Sequence, residues 1–380
     1  MAPLDQPKND ELSSRVLQHL SHTRYACSSL TRLSSGTTNF VFRGILAQPF
    51  LRYQDGMTAL AAHTIIVKHS TDYVAVNRDC PLDVSRCFFE EYMLNSLQNS
   101  SSTSTSVKTP RPFLFDRETN AQVLEDVPDS VDLKSILVSP EANHLLIRPL
   151  ATCIGRDMGT WLRSFHDQCL APAQADLRAE IGRNEPMRLK YLITYHRFIE
   201  VLENFPKVLE GCRKTLEDGK GMAAREFEIW ATEPDEGRGD WGVIHGDFWS
   251  GNVLVRNPKS ETQQPEGTNE LFIIDWEFAQ FGHRAYDLGQ MIGDLYERKH
   301  FNDVDSAMWA MQGFIDGRPV HAGVHLTGWY TRRAPNDSLT GTPEQIVGAM
   351  ELGRDFIVKG WEKDKNWVEH SVLAPLFKES

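Results

Sequence analysis

VIHGDFWSGNVLV at residues 243–255 and LFIIDWEF at residues 271–278 are the two runs whose reading decides how this chain folds. In each, a short apolar, β-branched stretch that suits a strand, Val243–Ile244 or Leu271–Ile274, leads into an aspartate. Val253–Val255 is a third such stretch, and the polar RNPKSETQQPEGTNE at 256–270 reads as an exposed hairpin tip between it and Leu271. Asp247 can accept a hydrogen bond from an acceptor hydroxyl, and Asn252, five residues on, can offer a side-chain oxygen to a metal. Asp275 can hold Mg²⁺, with Glu277 a second metal-facing carboxylate if the backbone is extended there. Phosphoryl transfer needs little else: an acceptor oxygen aimed in line, and divalent metal and cationic groups to offset phosphate charge. Two other readings fit the same residues. His245, Asp247 and Asn252 could cap a turn between strands, or His245 and Asp247 could bind a hydrolytic transition metal. The second lacks a convincing further histidine cluster, His283 being the nearest candidate.

Working toward the N-terminus, LSSGTTNFVFRGIL at 33–46 reads as strand, turn, strand. Gly36 there could let backbone approach nucleotide phosphates, with Ser35, Thr37 and Asn39 offering donors; an ordinary turn is the plainer alternative. Lys68 closes the apolar run of HTIIVKHS at 63–70, and a lysine leaving a buried strand needs a partner or an anion. The helical spacing of 84–98 carries Glu90, so a Lys68–Glu90 pair could hold the ammonium against the α- and β-phosphates, unless both face water. Residues 11–22 read as a short amphipathic helix, and 112–115 and 121–124 as further strands. The pattern breaks across Glu125–Asp129, which sets the expected boundary between an N-terminal part, 1–127, and a C-terminal part, 128–380. Beyond it, helical periodicity covers 141–170, 187–205, 207–230, 286–299, 303–315 and 343–361. NSSSTSTS at 99–106 is expected to be a polar loop. The fold class expected is therefore α+β: a small β-rich N-lobe with one prominent helix, then a larger helical C-lobe containing a hairpin.

The 380 residues, 41% of them hydrophobic, suffice for two domains or one large two-lobed one. A formal charge of −12 argues against binding nucleic acid or anionic lipid through a general positive field. A small-molecule or protein partner fits better. The six cysteines form no CxxC pair and read as reduced thiols. MAPLDQPKND has no apolar core of a secretory signal, and 18 apolar residues never run together, so no membrane span and a cytoplasmic address are expected. Oligomeric state leaves no trace in the sequence.

Taken in order, LSSGTTNFVFRG, IIVKH, RCFFEEYMLNSL, LEDVP, IHGDFWSGNVLV, IIDWEFAQFG and YDLG, spread over 33–289, resemble the aminoglycoside phosphotransferase and choline kinase superfamily. The Asp-Trp-Glu-Phe run with FGHRAYDLGQMIGDLY is most similar to 5-methylthioribose kinases and fungal hydroxytryptamine kinase. The D-to-N spacing of five also occurs in the catalytic loop of protein kinases. The resemblance implies a protein-kinase-like bilobal fold that uses ATP and magnesium, with adenine held near Glu125 to Val127 and Lys68 paired with Glu90. It also implies Asp247 as base or hydroxyl positioner, metal at Asn252, Asp275 and Glu277, and Asp287 as a brace of the catalytic loop. The hairpin departs from the family in having Ser-Ser-Gly where many relatives have two glycines, and 300–380 carries no family motif. Arg332 and Arg333 resemble the substrate-gripping arginine pair of 5-methylthioribose kinases.

A small-molecule kinase, a protein kinase and a catalytically silent nucleotide-binding protein are the hypotheses. Only eleven residues separate Asp275 from Asp287, too few for a long activation segment, which favours a small hydroxyl compound as acceptor. Trp249 and Trp276, beside the carboxylates, and the acidic ATEPDEGRGD at 231–240 suggest a cationic or aromatic acceptor, though the acidic stretch also suits a solvated loop.

Overall fold

The computed structural model describes residues 6–33, 36–54, 58–99, 106–184, 191–232, 240–257, 270–314, 327, 341–371 and 374. Ser35, Arg332 and Arg333 lie outside them, as do most of the stretches at 99–106, 231–240 and 256–270. The chain divides into two compact units, Met1–Ser101 with Thr109–Asp129, and Ser102–Lys108 with Ser130–Ser380.

The first unit is built on an antiparallel sheet. Helix α1 (Gln6–Leu20) leads into β1 (Cys27–Arg32), β2 (Phe40–Gln54) and β3 (Thr58–His69), followed by the small ribbon β4 (Tyr73–Val74) and β5 (Asn77–Pro81). Then come α2 (Arg86–Asn99), β7 (Pro112–Asp116) and β8 (Ala121–Glu125), with β6 (Val107–Lys108) belonging to the other unit. The sheet order is β1-β2-β3-β8-β7. Period-two alternation sorts the side chains by face. Phe40, Phe42, Ile65, Val67 and Val123 bury one face together with Val16 and Leu20 of α1. Lys68, paired in register with Gln122, falls on the opposite face, where the Gln122 amide donates to the Cys87 carbonyl of α2 at 2.7 Å. The buried stripe of α2 accordingly mixes Cys87, Met93 and Leu94 with Arg86 and Glu90, charged residues that need partners inside the unit.

The second unit is largely helical. A four-stranded sheet of order β6-β12-β11-β9 joins β6 to β9 (Ser130–Asp132), β11 (Val253–Arg256) and β12 (Leu271–Ile273). A separate ribbon pairs β10 (Trp241–Ile244) with β13 (Gln280–His283). Its main helices are α3 (Arg148–Cys169), α4 (Arg213–Thr232), α5 (Ala285–Asn302), α6 (Asp305–Phe314) and α7 (Pro343–Trp361). A Cβ on Gly155 would strike the Ala310 carbonyl, so this glycine is what lets α3 and α6 cross backbone to backbone. Three expected helices are interrupted. The stretch 141–170 splits into Ala142–Leu145 and α3, which starts with Pro149 in its first turn. The stretch 207–230 breaks at Gly211, whose φ of +77° no helix continues. Within 187–205 the described part is a π-turn, Leu192–His196, then Phe198–Leu202. All six cysteines are free thiols, and burial pushes the Cys169 thiol up to about 12. No helix among the described residues is long and apolar enough to cross a membrane.

Candidate active site

In the first unit, Lys68 Nζ lies 2.7 Å from Glu90 Oε2, with both side chains nearly sealed from water at 7% and 1% exposure. A pair this buried persists because each charge neutralises the other where water cannot. Asn39, expected to offer donors to phosphate, is itself buried, and its amide oxygen accepts from Ser70 Oγ and Arg86 Nη2, both at 2.9 Å. Its side chain therefore ties the residue before β2 to α2 and to the end of β3. Thr37 contributes its carbonyl to the Val76 N–H, and a Cβ on Gly36 would crowd the Asn39 carbonyl and the Val41 side chain. Glu125 accepts from the Arg111 N–H at 3.2 Å, Val127 is half-buried, and between them Asp126 takes a two-pronged hydrogen bond from Arg43, at 2.9 and 3.0 Å.

In the second unit the residues of 243–255 and 271–278 converge. Strand β10 ends at Ile244, and Gly246 turns the chain with φ +77°; a Cβ there would collide with the Phe278 carbonyl. Asn252 and Asp275 come together because Val253 of β11 pairs with Ile273 of β12, and the Ile274 N–H donates to the Asn252 carbonyl at 3.0 Å. The Asn252 amide nitrogen donates to the Asp247 carbonyl at 2.9 Å and to Asp247 Oδ2 at 3.1 Å. That assigns the nitrogen end of the amide to Asp247 and turns its oxygen the other way. Asp275 adopts a left-handed backbone, φ +68° and ψ +61°, which costs about 1 kcal/mol or more and occurs chiefly where neighbours enforce it. The Asp275 and Glu277 carboxylates approach within 4.8 Å of each other. Asn184 stabilises this bend by donating to the carbonyls of Glu277 and Ala279, at 3.0 and 2.6 Å.

The hydrogen bonds of His245 define its tautomer. Nδ1 accepts from the Asp247 N–H at 3.2 Å, so Nε2 carries the proton and donates to the Ile274 carbonyl at 3.0 Å. Complete burial lowers its pKa despite the Asp287, Asp247 and Asp275 carboxylates, which act in the opposite sense. With both ring nitrogens engaged, His245 is a tie between the loop and the end of β12, which removes the transition-metal reading. Asp287, in the first turn of α5, accepts from the N–H groups of His245 and Gly246, each at 2.9 Å, and from His166 Nε2 of α3 at 3.0 Å. Burial alone would raise the pKa of Asp287. The hydrogen bond and charge of His166, helped by His245, outweigh it and hold the carboxyl below its usual value.

Four participants were not singled out from sequence: Gln290, Asp294, His166 and Asn184. Gln290 Nε2 donates to Asp247 Oδ1 at 2.6 Å, and Asp294 accepts from the Ser250 N–H at 3.2 Å and from its hydroxyl. They sit 43 and 44 residues from their partners and look like ordinary polar residues of a helix; the only available signal was their helical spacing from Asp287. One tryptophan needs correction. Trp276 is fully buried, 4.4 Å from the His245 ring and edge-on to Phe165 at 5.2 Å, so it is a core residue. Trp249 is half-buried, and its ring already carries Lys134 Nζ at 5.1 Å.

Comparison with known proteins gives the chain a family. The model of the phosphotransferase enzyme family matches residues 76–324. Phosphotransferase FrzJ of Cladobotryum sp is 28% identical over 97% of this chain and 97% of its own length. The 4-hydroxytryptamine kinase of Psilocybe cubensis is 22% identical over 97% of this chain and 92% of its own, and the methylthioribose kinase of Klebsiella pneumoniae 26% over 60% and 53%. With well over half its length matched by that model, the chain, an α+β protein, is a small-molecule kinase and belongs to the phosphotransferase enzyme family.

Proposed function

We propose that this protein moves the γ-phosphoryl group of ATP onto a hydroxyl of a small molecule, with Asp247 as the residue that receives and aims that hydroxyl. The observation that carries the reading is the anchored Asp247 carboxylate, tied to Asn252 at one oxygen and to Gln290 at the other, on a loop whose backbone Asp287 clamps. A carboxylate so fixed suits a reaction in which catalysis is mostly positioning. Lys68, oriented by Glu90, is the ammonium for the α- and β-phosphates, and Gly36 and Thr37 supply backbone to them. Backbone near Glu125 and Val127 holds the adenine.

Asp275, Glu277 and the Asn252 amide oxygen are hard oxygen donors, the set that Mg²⁺ prefers. These residues would hold Mg²⁺, which neutralises phosphate charge when bound. Asp247 keeps the acceptor oxygen in line and takes its hydrogen bond as the proton leaves. The buried, neutral His245 fixes where that loop stands relative to Asp275.

A small acceptor is supported by the interval between Asp275 and Asp287: it is consumed by the turn Trp276–Phe278 and by β13, leaving no free segment to dock a polypeptide. Substrates named for the relatives, a hydroxytryptamine and methylthioribose, set the first compounds to try. The test is coupled ADP release against hydroxyindoles, thio-sugars, amino alcohols and aminoglycosides. Turnover that depends on one of them is expected; ATP bound without turnover of any, or phosphorylation of peptides instead, would overturn the reading.

A further inference from the structure

Helix α5 presents Asp287, Gln290, Asp294 and Arg298 at intervals of three and four residues, which places them along one face. Each touches the 245–252 loop or supports a residue that does. Asp287 takes the N–H groups of His245 and Gly246, and Asp294 takes both the N–H and the hydroxyl of Ser250. Arg298 Nη2 holds Asp294 from behind at 2.6 Å. The loop is thus clipped to the helix at both ends, and Gln290, between the clips, reaches the Asp247 carboxylate itself.

We infer that Gln290 is the positioning residue for Asp247, setting the rotation of its carboxylate for the phosphoryl acceptor without contributing materially to the stability of the fold. The terminal torsion of an aspartate is broad and roughly two-fold, so backbone clips alone leave the two oxygens free to rotate. Asn252 restrains Oδ2 at 3.1 Å, and Gln290 restrains Oδ1 at 2.6 Å, the shorter of the two bonds. Gln290 is uncharged, so it orients the carboxylate without neutralising it. Asp287 and Asp294 keep the loop in place whether or not residue 290 can donate, which is why orientation and stability separate here.

The inference rests on the proposed function and is tested with the full-length chain. Gln290→Met matches the length and lacks the donor; Gln290→Glu keeps length and polarity but turns an acceptor toward Asp247. Both are compared with wild type, Asp247→Ala and Asp294→Asn for ADP release with the best acceptor of the panel above, or for hydrolysis of ATP by water if none is turned over. Expected is a kcat lower by about 10- to 100-fold in both Gln290 variants, in the range that misplacing a reacting group costs. The KM for ATP should stay within about twofold and Tm should stay near wild type, whereas Asp294→Asn lowers Tm. Wild-type kcat in Gln290→Met overturns the inference alone. A loss of turnover accompanied by a fall in Tm as large as that of Asp294→Asn also overturns it, because Gln290 would then be a structural residue. A wild-type chain without any turnover overturns the functional reading and this inference with it.

Discussion

Asp247 and Asp275 occupy backbone that exists for them: one follows a glycine in the left-handed region, the other is itself left-handed. Removing either carboxylate deletes a group that positions or holds charge while leaving the surrounding hydrogen bonds of His245, Gly246 and Asn184 in place. Asp247→Ala and Asp275→Ala should each lower kcat by roughly 10²-fold or more, as loss of such a group does, with circular dichroism and Tm close to wild type. Near-normal turnover in either variant contradicts the assignment. At Lys68 the expectation reverses. Lys68→Met strands the Glu90 carboxylate, 1% exposed, in the sheet–helix interface, and should destabilise the protein by about 3 kcal/mol, the usual result of halving a buried ion pair. Adding Glu90→Gln should recover part of that loss in urea titration. A single variant as stable as wild type would mean that water or another cation reaches Glu90.

At the level of elements, the hairpin β11–β12 and the helix α5 divide the labour. The hairpin brings Asn252 beside Asp275 through register, and α5 pins the loop before the hairpin along one face. Gly246 sits tight against the chain that follows the hairpin, since its missing Cβ admits the Phe278 carbonyl and the Gln280 amide of β13. Gly246→Ala adds an unfavourable φ to that collision and should cost about 1 to 3 kcal/mol, typical of a strained backbone site, together with most of the turnover. Thermal unfolding and kcat should fall together in this variant; a loop that accepts alanine at no cost in either would show that residues 245–252 are not held as described.

Over the whole molecule, buried titrating groups make stability a function of pH. His69 is buried under the sheet, and desolvation lowers its pKa from 6.5 to about 4, outweighing the Thr119 carbonyl and Asp116, which favour the cation. His245 is lowered as well, and Asp287 is held below 3.8. The unfolded chain therefore binds more protons than the folded one from about pH 6.5 downward, so stability is full above that pH and drains away as pH falls toward 4. For His69 alone the loss across that interval amounts to about 3 kcal/mol, because each pH unit in which only the unfolded histidine is protonated costs about 1.36 kcal/mol. The Asp287 contribution follows only below 3.8. Urea midpoints should be flat from about pH 8 to 7 and fall between about pH 6 and 4, less steeply in His69→Asn; a midpoint that rises on acidification would refute the burial argument.

By itself, the sequence determined the α+β order, most strands of the first sheet and the candidates Asp247, Asn252, Asp275 and Glu277, because these residues flank short strands whose pattern is local. It also announced Lys68 and Glu90, since a charge at the end of an apolar strand and another in a helical stripe each demand a partner. Only the tertiary structure decided what those residues lean on. The His166–Asp287 bond spans 121 residues, β13 exists only through its pairing with β10, and Gln290 differs from a surface glutamine solely in facing Asp247. Periodicity reports which way a side chain points relative to its own element; what stands opposite is fixed by packing between elements far apart in the chain, and no local pattern encodes that.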